Sequence, residues 1–472
     1  MLRKRGCCCS EEGCSSEKKL KAVGKESGNE ILNGITNGVA HDRTKEETVL
    51  ARRKLIAPSQ RLFFPDDPLK IVRAEGQYMY DDTGAQFLDC INNVCHVGHC
   101  HKRVVEAGSH QMAKLNTNSR YLHDGIADYA GNLSSTLPGK LSCFYFTNSG
   151  SEANDLALQI ADTVTGNTEH ICVEGAYHGN LRSLLQLSTY KDTPMGLHSI
   201  VAPLPDVYNG KYKDPDNAGM LYAGEVKKLI DKASSNEKRI SCFIMESLFS
   251  CAGQIIPPKG YLQAVYKYVH DAGGLCIADE VQVGFGRVGK YFWGFELQDV
   301  VPDIVTIGKP MGNGHPVAGV ITTPEIAKRF SLTGVSYFNT YGGNPVSMAI
   351  AQAVLTVIKE ENLQQHANSL GEYLLHSLLE LQAKYPTHIG DVRGVGFFIG
   401  LEIVKDRKSR EPDSQLATRI ITRMLREHRV IMSVDGTNNN VIKFKPPMCF
   451  DKENADYLLE CLEECFDNQE NM

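Results

Sequence analysis

The chain has 472 residues, 42% of them apolar and 22% charged, and its net charge of −6 comes from 50 basic against 56 acidic residues. That length suits a large protein of two or three lobes, not a single small module. The charge balance gives no reason to expect nucleic acid or an anionic membrane as partner, and no apolar run is long enough to span a bilayer.

From the N-terminus, "MLRKRGCCCSEEGCSSEKKLKAVGKESGNE" is polar and Gly/Ser-rich, which predicts a disordered tail over residues 1–45. Cys7, Cys8 and Cys9 sit beside basic residues and could be acylated; the plainer alternative is a solvated tail with incidental cysteines. Glu11, Glu12 and Glu17 argue against a mitochondrial presequence. The 15 cysteines are scattered, which favours free thiols in a reducing compartment.

"KIVRAEGQYMYDDTGAQFLDCI" is two alternating runs about "DDTG" and predicts a hairpin. "LSCFYFT" (141–147) predicts a strand, followed by "NSGS" and a helix from Glu152. Ala153, Leu156, Ala157, Ile160 and Ala161 fall on one helical face. "RISCFIMES" (239–247) reads as a buried strand, and "GYLQAVYKYVHDAGG" as a helix stopped by its glycines. "LCIAD" (275–279) and "DIVTIG" (303–308) are further apolar strands, residues 343–383 are largely helical, and "GDVRGVGFFIGLEIV" (390–404) opens a smaller α+β lobe. Short apolar strands alternating with amphipathic helices predict an α/β fold with a mostly parallel sheet, whose ligands collect at the C-terminal strand ends.

Four features fall at such ends. Small residues at Asn148–Ser151 open a helix and leave N–H groups that suit an anion; the alternative is a plain N-cap. Asp279 ends a buried strand, where an unpaired acid is unfavourable. Lys309 also ends an apolar run, and a desolvated lysine becomes a nucleophilic amine; alternatively it snorkels out of the sheet. Tyr177, in "YHG", could lie on a planar ring or pack in the core. Pyridoxal phosphate (PLP) needs all four: a helix N-terminus for its phosphate, a carboxylate for its ring nitrogen, an aromatic neighbour and a lysine for its aldehyde.

"CIADEVQVGFGRVG" followed by "DIVTIGKPMGNG", with Lys309 30 positions after Asp279, resembles the signature of the class III, ornithine-aminotransferase-like group of fold-type-I PLP enzymes. The resemblance covers roughly residues 47–468. It implies a large PLP-binding domain over 116–383, and a smaller α+β domain built from both chain ends, 46–115 and 384–472. By this resemblance Lys309 is the Schiff-base lysine and Asp279 the partner of the ring nitrogen. Gln282 lies near the ring hydroxyl, Gly150 and Ser151 cradle the phosphate, and Tyr177 stacks. His178 and Glu246 complete the cofactor contacts. Thr340, in "YFNTYGGNP", reaches the phosphate of a neighbouring subunit, which implies a homodimer or homotetramer. No metal is expected. The resemblance leaves a mitochondrial or a cytoplasmic placement open.

Two motifs compete with this reading. "GFGRVG" (Gly284–Gly289) fits a dinucleotide fingerprint but neither follows a strand directly nor opens a helix. "CHVGHCH" (Cys95–His101) could hold zinc, but no second ligand pair is evident, and a loop lining the site mouth fits better.

Within the group, "LNTNSRYLHD", "FTNSGSEANDLAL", "GKPMGNGHPVAG" and "VIKFKPPMCF" resemble the amine phospho-lyases, which act on ethanolamine phosphate or 5-phosphohydroxy-lysine and are also described as alanine–glyoxylate aminotransferase-like. Where many class III aminotransferases carry a carboxylate-binding arginine, this chain has Lys443. A planar fork suits a carboxylate, whereas an ammonium is a point charge. The expected reaction is elimination of phosphate and ammonia from a phosphorylated amine, with Arg120, Lys443 and Lys445 as candidate phosphate clamps. The alternative is an ω-amino acid or alanine–glyoxylate aminotransferase with the same site.

Overall fold

The computed structural model describes residues 43–190 and 198–467. Residues up to Lys70 and residues from Ile71 onward form separate compact units. In the first, helix α1 (Lys45–Leu55) opens with a reciprocal cap: Thr44 Oγ1 accepts from the Glu47 N–H at 3.2 Å, and the Glu47 carboxylate accepts from the Thr44 N–H at 2.8 Å. Acids in its first turn and bases in its last suit the helix dipole. The expected tail to residue 45 therefore ends in an ordered cap. Positions 1–42, with Cys7–Cys9, lie outside the described residues.

The second unit begins with three strands where two runs were expected: β1 (Ile71–Glu75), β2 (Tyr78–Asp81) and β3 (Gln86–Asp89). Gly76, at φ +57°, breaks the first run. Helices α2 (Lys102–Lys114) and α3 (Asp124–Ser134) follow. The chain then alternates through β4 (Cys143–Thr147), α4 (Gly150–Thr165), β5 (Glu169–Val173), α5 (Arg182–Leu187), β6 (Ile200–Ala202), α6 (Pro215–Ser235), β7 (Ile240–Glu246), α7 (Tyr261–Asp271) and β8 (Leu275–Asp279). After β8 come β9 (Ile304–Ile307), the single turn α8 (Lys309–Gly312), β10 (Ala318–Thr322), α9 (Pro324–Leu332), α10 (Pro345–Glu360) and α11 (Leu363–Lys384). The C-terminal region holds β11 (Ile389–Val395), β12 (Phe398–Asp406), β13 (Glu411–Pro412), α12 (Ser414–His428), β14 (Val430–Ile431), β15 (Ser433–Asp435), β16 (Val441–Phe444) and α13 (Lys452–Asp467).

The central sheet has seven strands in the order β4-β10-β9-β8-β7-β5-β6. The sheet is mostly parallel, as expected; β10 runs antiparallel to both its neighbours. Strands β7, β8 and β9 are in register, so Glu246, Asp279 and Thr306 lie side by side at one sheet edge. That edge carries the site. β14 pairs in parallel with β3, joining a C-terminal strand to the N-terminal sheet, and β11, β12, β16 and β15 form an antiparallel sheet of their own.

Helix α4 packs its predicted face, Ala153, Leu156, Ala157, Ile160 and Ala161, on Cys172, Ile244, Ile277 and Ile304 of the sheet. It starts two residues before the expected Glu152. Ser149, not Ser151, is the cap, its side chain accepting from the Glu152 N–H. Gly150 can then be the first helical residue because it lacks a side chain: a Cβ there would lie 2.7 Å from Val281 Cγ1. Packing thus fixes where the N-terminus of α4 points. Ile160→Ala is expected to destabilise the protein by about 2–5 kcal/mol. A fall in the urea midpoint of the apoprotein checks this, and an unchanged midpoint would contradict it.

Candidate active site

Strand β9 ends at Ile307, and Gly308 turns the chain into α8, so Lys309 leaves the sheet at its C-terminal edge. Lys309 is half-buried and borders a cleft of about 270 Å³. Gly150, Ser151, Tyr177, His178, Asp279 and Gln282 line the same cleft. The structure therefore brings together six of the expected cofactor residues around the expected lysine, drawn from four separate stretches of chain.

Asp279 is 3% exposed, so its charge depends on donors. His178 Nδ1 donates to Oδ2 at 2.8 Å, Asn154 Nδ2 donates to the same oxygen at 2.8 Å, and the Val281 N–H donates to Oδ1 at 3.0 Å. Asn154 also donates to the His178 carbonyl, and its Oδ1 accepts from Thr306 Oγ1 at 2.6 Å. This asparagine was not singled out in the sequence. It is one polar residue inside an apolar helix face, and only the register of β8 with β9 reveals its partners. The buried His178 Nε2 finds no partner among the described residues.

The first turn of α4 supplies the anion cradle. N–H groups there have no intrahelical acceptor. Ser151 Oγ accepts from the Asn180 N–H at 3.1 Å, which ties the cradle to the segment after His178. A Cβ on Gly179 would lie 2.4 Å from that hydroxyl oxygen, so the two backbones approach closely.

A buried polar row lies behind this layer. The Glu246 carboxylate accepts from the N–H groups of Tyr177 (3.0 Å) and Ser250 (3.2 Å) and from Gln282 Nε2 (3.3 Å). Burial, reinforced by the charge of Asp279, pushes its pKa up to about 7. Gln282 Oε1 accepts from Lys445 Nζ at 2.9 Å and from Asn93 Nδ2 at 3.3 Å.

The expected phosphate clamps are not in the cleft lining. Lys445 is 2% exposed and sits behind Gln282, also donating to Ser250 Oγ; its packing removes it from the role expected of it. Lys443 donates to Asp435 Oδ2 at 2.7 Å across β16 and β15. Arg120 is exposed, with its guanidinium 3.9 Å above the Phe338 ring. Thr340 is exposed in the same neighbourhood, outside the cleft of its own chain.

The competing motifs have other work. Arg287, inside "GFGRVG", is fully buried and donates to the carbonyls of Phe397 and Pro446 and to His96 Nδ1. In "CHVGHCH", His96 donates to the Phe285 carbonyl, His99 bonds Asp89 and His101 bonds Glu361. The three rings thus face different partners. This loop is bound to the turn after Lys309, since Asn313 bonds both the Val97 N–H and the Gly98 carbonyl. Among the described residues, His270, Cys276 and Asp303 lie close enough to share an ion, but they sit at the opposite ends of β8 and β9.

The family model described as aminotransferase class-III matches residues 65–466. The chain belongs to the class-III aminotransferase family. It is 54% identical over 433 residues to an alanine–glyoxylate aminotransferase 2-like protein of Drosophila melanogaster, covering 89% of this chain and 87% of that one. It is 45% identical over 432 residues to ethanolamine-phosphate phospho-lyase homolog 1 of Caenorhabditis elegans, covering 87% and 91%. A solved phospholyase from Arthrobacter in complex with phosphoethanolamine superposes with a TM-score of 0.85 at 39% identity, covering 89% of this chain and 99% of that one. The fold is that of fold-type-I enzymes, and the cofactor of this class-III chain is PLP. The residues present fit that cofactor: a helix N-terminus without room for a side chain at Gly150, a paired buried carboxylate, and an orphaned histidine nitrogen.

Glu280, next to Asp279, has a different task. It is fully buried and caps the turn at 294–298, accepting from the N–H groups of Gly294 and Phe295 at 2.9 Å and from Ser247 Oγ. Burial pushes its pKa up to about 7, from the ordinary 4.5. The native state therefore keeps a proton that the unfolded chain releases between those values, and this part of the stability is lost as pH rises from 4.5 through 7. Glu280→Gln is expected to lower stability at every pH but to flatten its decline across that window. Urea midpoints of the apoprotein at pH 5 and pH 7.5 check the slope; parallel declines in both proteins would contradict it.

Proposed function

We propose that this class-III enzyme is a phospho-lyase that converts ethanolamine phosphate and water into acetaldehyde, ammonia and phosphate. The observation that carries the reading is Lys443. Where an arginine fork would seat a substrate carboxylate, this chain offers an ammonium already held by Asp435 at 2.7 Å. Ethanolamine phosphate has no carboxylate to seat. The likeness to a phospholyase solved with phosphoethanolamine supports the same choice.

PLP, when bound, supplies an electron sink for the carbon next to the substrate nitrogen. Lys309 holds the cofactor's carbonyl carbon at rest; once released, its Nζ takes the proton from the amine-bearing carbon. The Asp279 carboxylate keeps positive charge on the ring nitrogen, and His178 and Asn154 hold that carboxylate in place. The N–H groups of Gly150 and Ser151 would bind the cofactor phosphate, Tyr177 would cover the ring and Gln282 would face the ring hydroxyl. Lys443, tied to Asp435 and outside the cleft lining, is given no contact with the departing phosphate. The same site chemistry would serve 5-phosphohydroxy-lysine.

A second reading, alanine–glyoxylate or ω-amino acid transamination, is favoured by the Drosophila relative's name. Incubation with ethanolamine phosphate alone separates the two. Phosphate and ammonia are expected in equal amounts without a keto acid, and Lys309→Ala is expected to slow release by about 10²–10⁴-fold. No phosphate release, with activity only when a keto acid is added, would overturn the lyase reading.

We further infer a homodimer or larger homo-oligomer. Tyr121, Leu122, Phe338 and Tyr341 are large exposed apolar residues, and Arg120 stacked on Phe338 draws the two loops together. Thr340, exposed between Phe338 and Tyr341, is assigned to the cofactor phosphate of the neighbouring subunit. Leu122→Asp combined with Tyr341→Asp is expected to convert the assembly to monomers in sedimentation and to reduce cofactor retention; a monomeric native protein would refute the assignment.

A further inference from the structure

Lys445 is a lysine buried to 2% exposure, and no carboxylate is among the hydrogen-bond partners of its Nζ in the described residues. Its ammonium donates to Ser250 Oγ and to Gln282 Oε1. A buried lysine is unfavourable unless its position matters or its charge is matched nearby. Here the match is one amide away. Gln282 takes Lys445 on its oxygen and gives its Nε2 to Glu246 at 3.3 Å.

The charges on both sides decide the orientation of that amide. An ammonium only donates, and the Asn93 NH₂ group, also directed at Gln282 Oε1, only donates. A carboxylate only accepts. Rotating the Gln282 amide by half a turn would set its NH₂ against Lys445 and Asn93 and its oxygen against Glu246. Three unfavourable pairings, with Lys445, Asn93 and Glu246, would replace three favourable ones; the Cys251 thiol can pair with either edge. Gln282 lines the cleft, so the orientation fixed from behind is presented to whatever lies in front.

We propose that Lys445 is a positioning residue for bound PLP: acting through Gln282, it selects the amide edge that faces the ring hydroxyl and so sets the pH at which the bound cofactor's absorbance titrates. The proposal rests on the placement of Gln282 beside the ring hydroxyl given above. It does not depend on whether the enzyme eliminates phosphate or transfers an amine, because no substrate is involved.

The charged groups around this device are few. Lys445 faces Lys443, Lys309 and Arg287 as cations and the Cys251 thiol. Burial first, then those cations, hold it well below the ordinary lysine range, which makes its donor contacts sensitive to any added positive charge. Glu246, on the other side of the amide, faces Asp279 and His178.

The test is a pH titration of the absorbance of the resting holoenzyme. Replacing Lys445 by methionine removes a cation and releases the amide. Either loss disfavours the form of the bound cofactor that carries more negative charge. The titration midpoint is therefore expected to rise in Lys445→Met, by about one pH unit. Gln282→Leu is expected to move it in the same direction, and the double variant no further than the larger single shift, since both act through one amide. Lys445→Arg, which keeps a donor-only cation, is expected to stay near the native midpoint. If the methionine variant does not fold, Lys445→Gln is read in the same way, because an amide can both donate and accept.

A shift in Gln282→Leu with none in Lys445→Met would overturn the proposal while leaving Gln282 at the ring. Additive shifts would overturn it too, as would an equal shift in Lys443→Met, a cation directed at Asp435 instead of Gln282. No shift in any of these variants would remove Gln282 from the ring hydroxyl, and the proposal with it.

Discussion

The site depends on satisfying one carboxylate buried inside the protein. Asp279 ends a strand with neighbours on both sides and is almost wholly shielded from water. A carboxylate left without partners in that position would be strongly unfavourable. Three donors prevent this, and each comes from a different structural source: a helix side chain, a loop histidine and a backbone N–H. The same helix that supplies Asn154 supplies the anion cradle at its N-terminus. On the proposed cofactor placement both ends of the cofactor would be referred to one rigid element, whose packing on the sheet sets the distance between them.

The end of β8 divides the two adjacent acids. β8 ends at Asp279 and Glu280 is the first residue beyond it; Asp279 meets α4 and Glu280 meets the turn at 294–298. Both are buried, but their partners differ in kind. Glu280 is satisfied by N–H groups that serve the fold, whereas Asp279 keeps Oδ1 with a single donor. A free lone pair on a buried acid is what a cationic ligand requires.

Much of this was visible in the chain itself, for physical reasons. "LCIAD" matches β8 at both ends because a short apolar run between Gly273-Gly274 and two adjacent acids has little choice of boundary. The buried face of α4 was legible because a helix against a sheet must be apolar every three to four residues. Lys309 stood out because a lysine ending an apolar run breaks that rule. The failures share a cause. The start of α4 depends on Val281, 131 positions from Gly150. Asn154 looks like any polar helix residue until β9 brings Thr306 beside it. Lys445 looked like a clamp because its charge was readable and its burial was not; Gln282, Ser250 and Asn93, which enclose it, are far apart in sequence. Arg287 fits a dinucleotide motif in sequence but is consumed by carbonyls from the C-terminal region.

Two lysines two residues apart at the end of β16 show how burial turns the same side chain to different ends. Lys443 is tied to Asp435, whose other oxygen accepts from the Tyr190 hydroxyl at 3.2 Å. That pairing orients the ammonium while leaving it further N–H donors. An arginine in the same place would commit a rigid fork, whose remaining donors are fixed in the plane of the guanidinium. Lys445, two positions on, has no such freedom, because its acceptors are fixed on both sides. The outer lysine pairs with a carboxylate and the inner one with an amide, and the difference between them is the packing around each side chain.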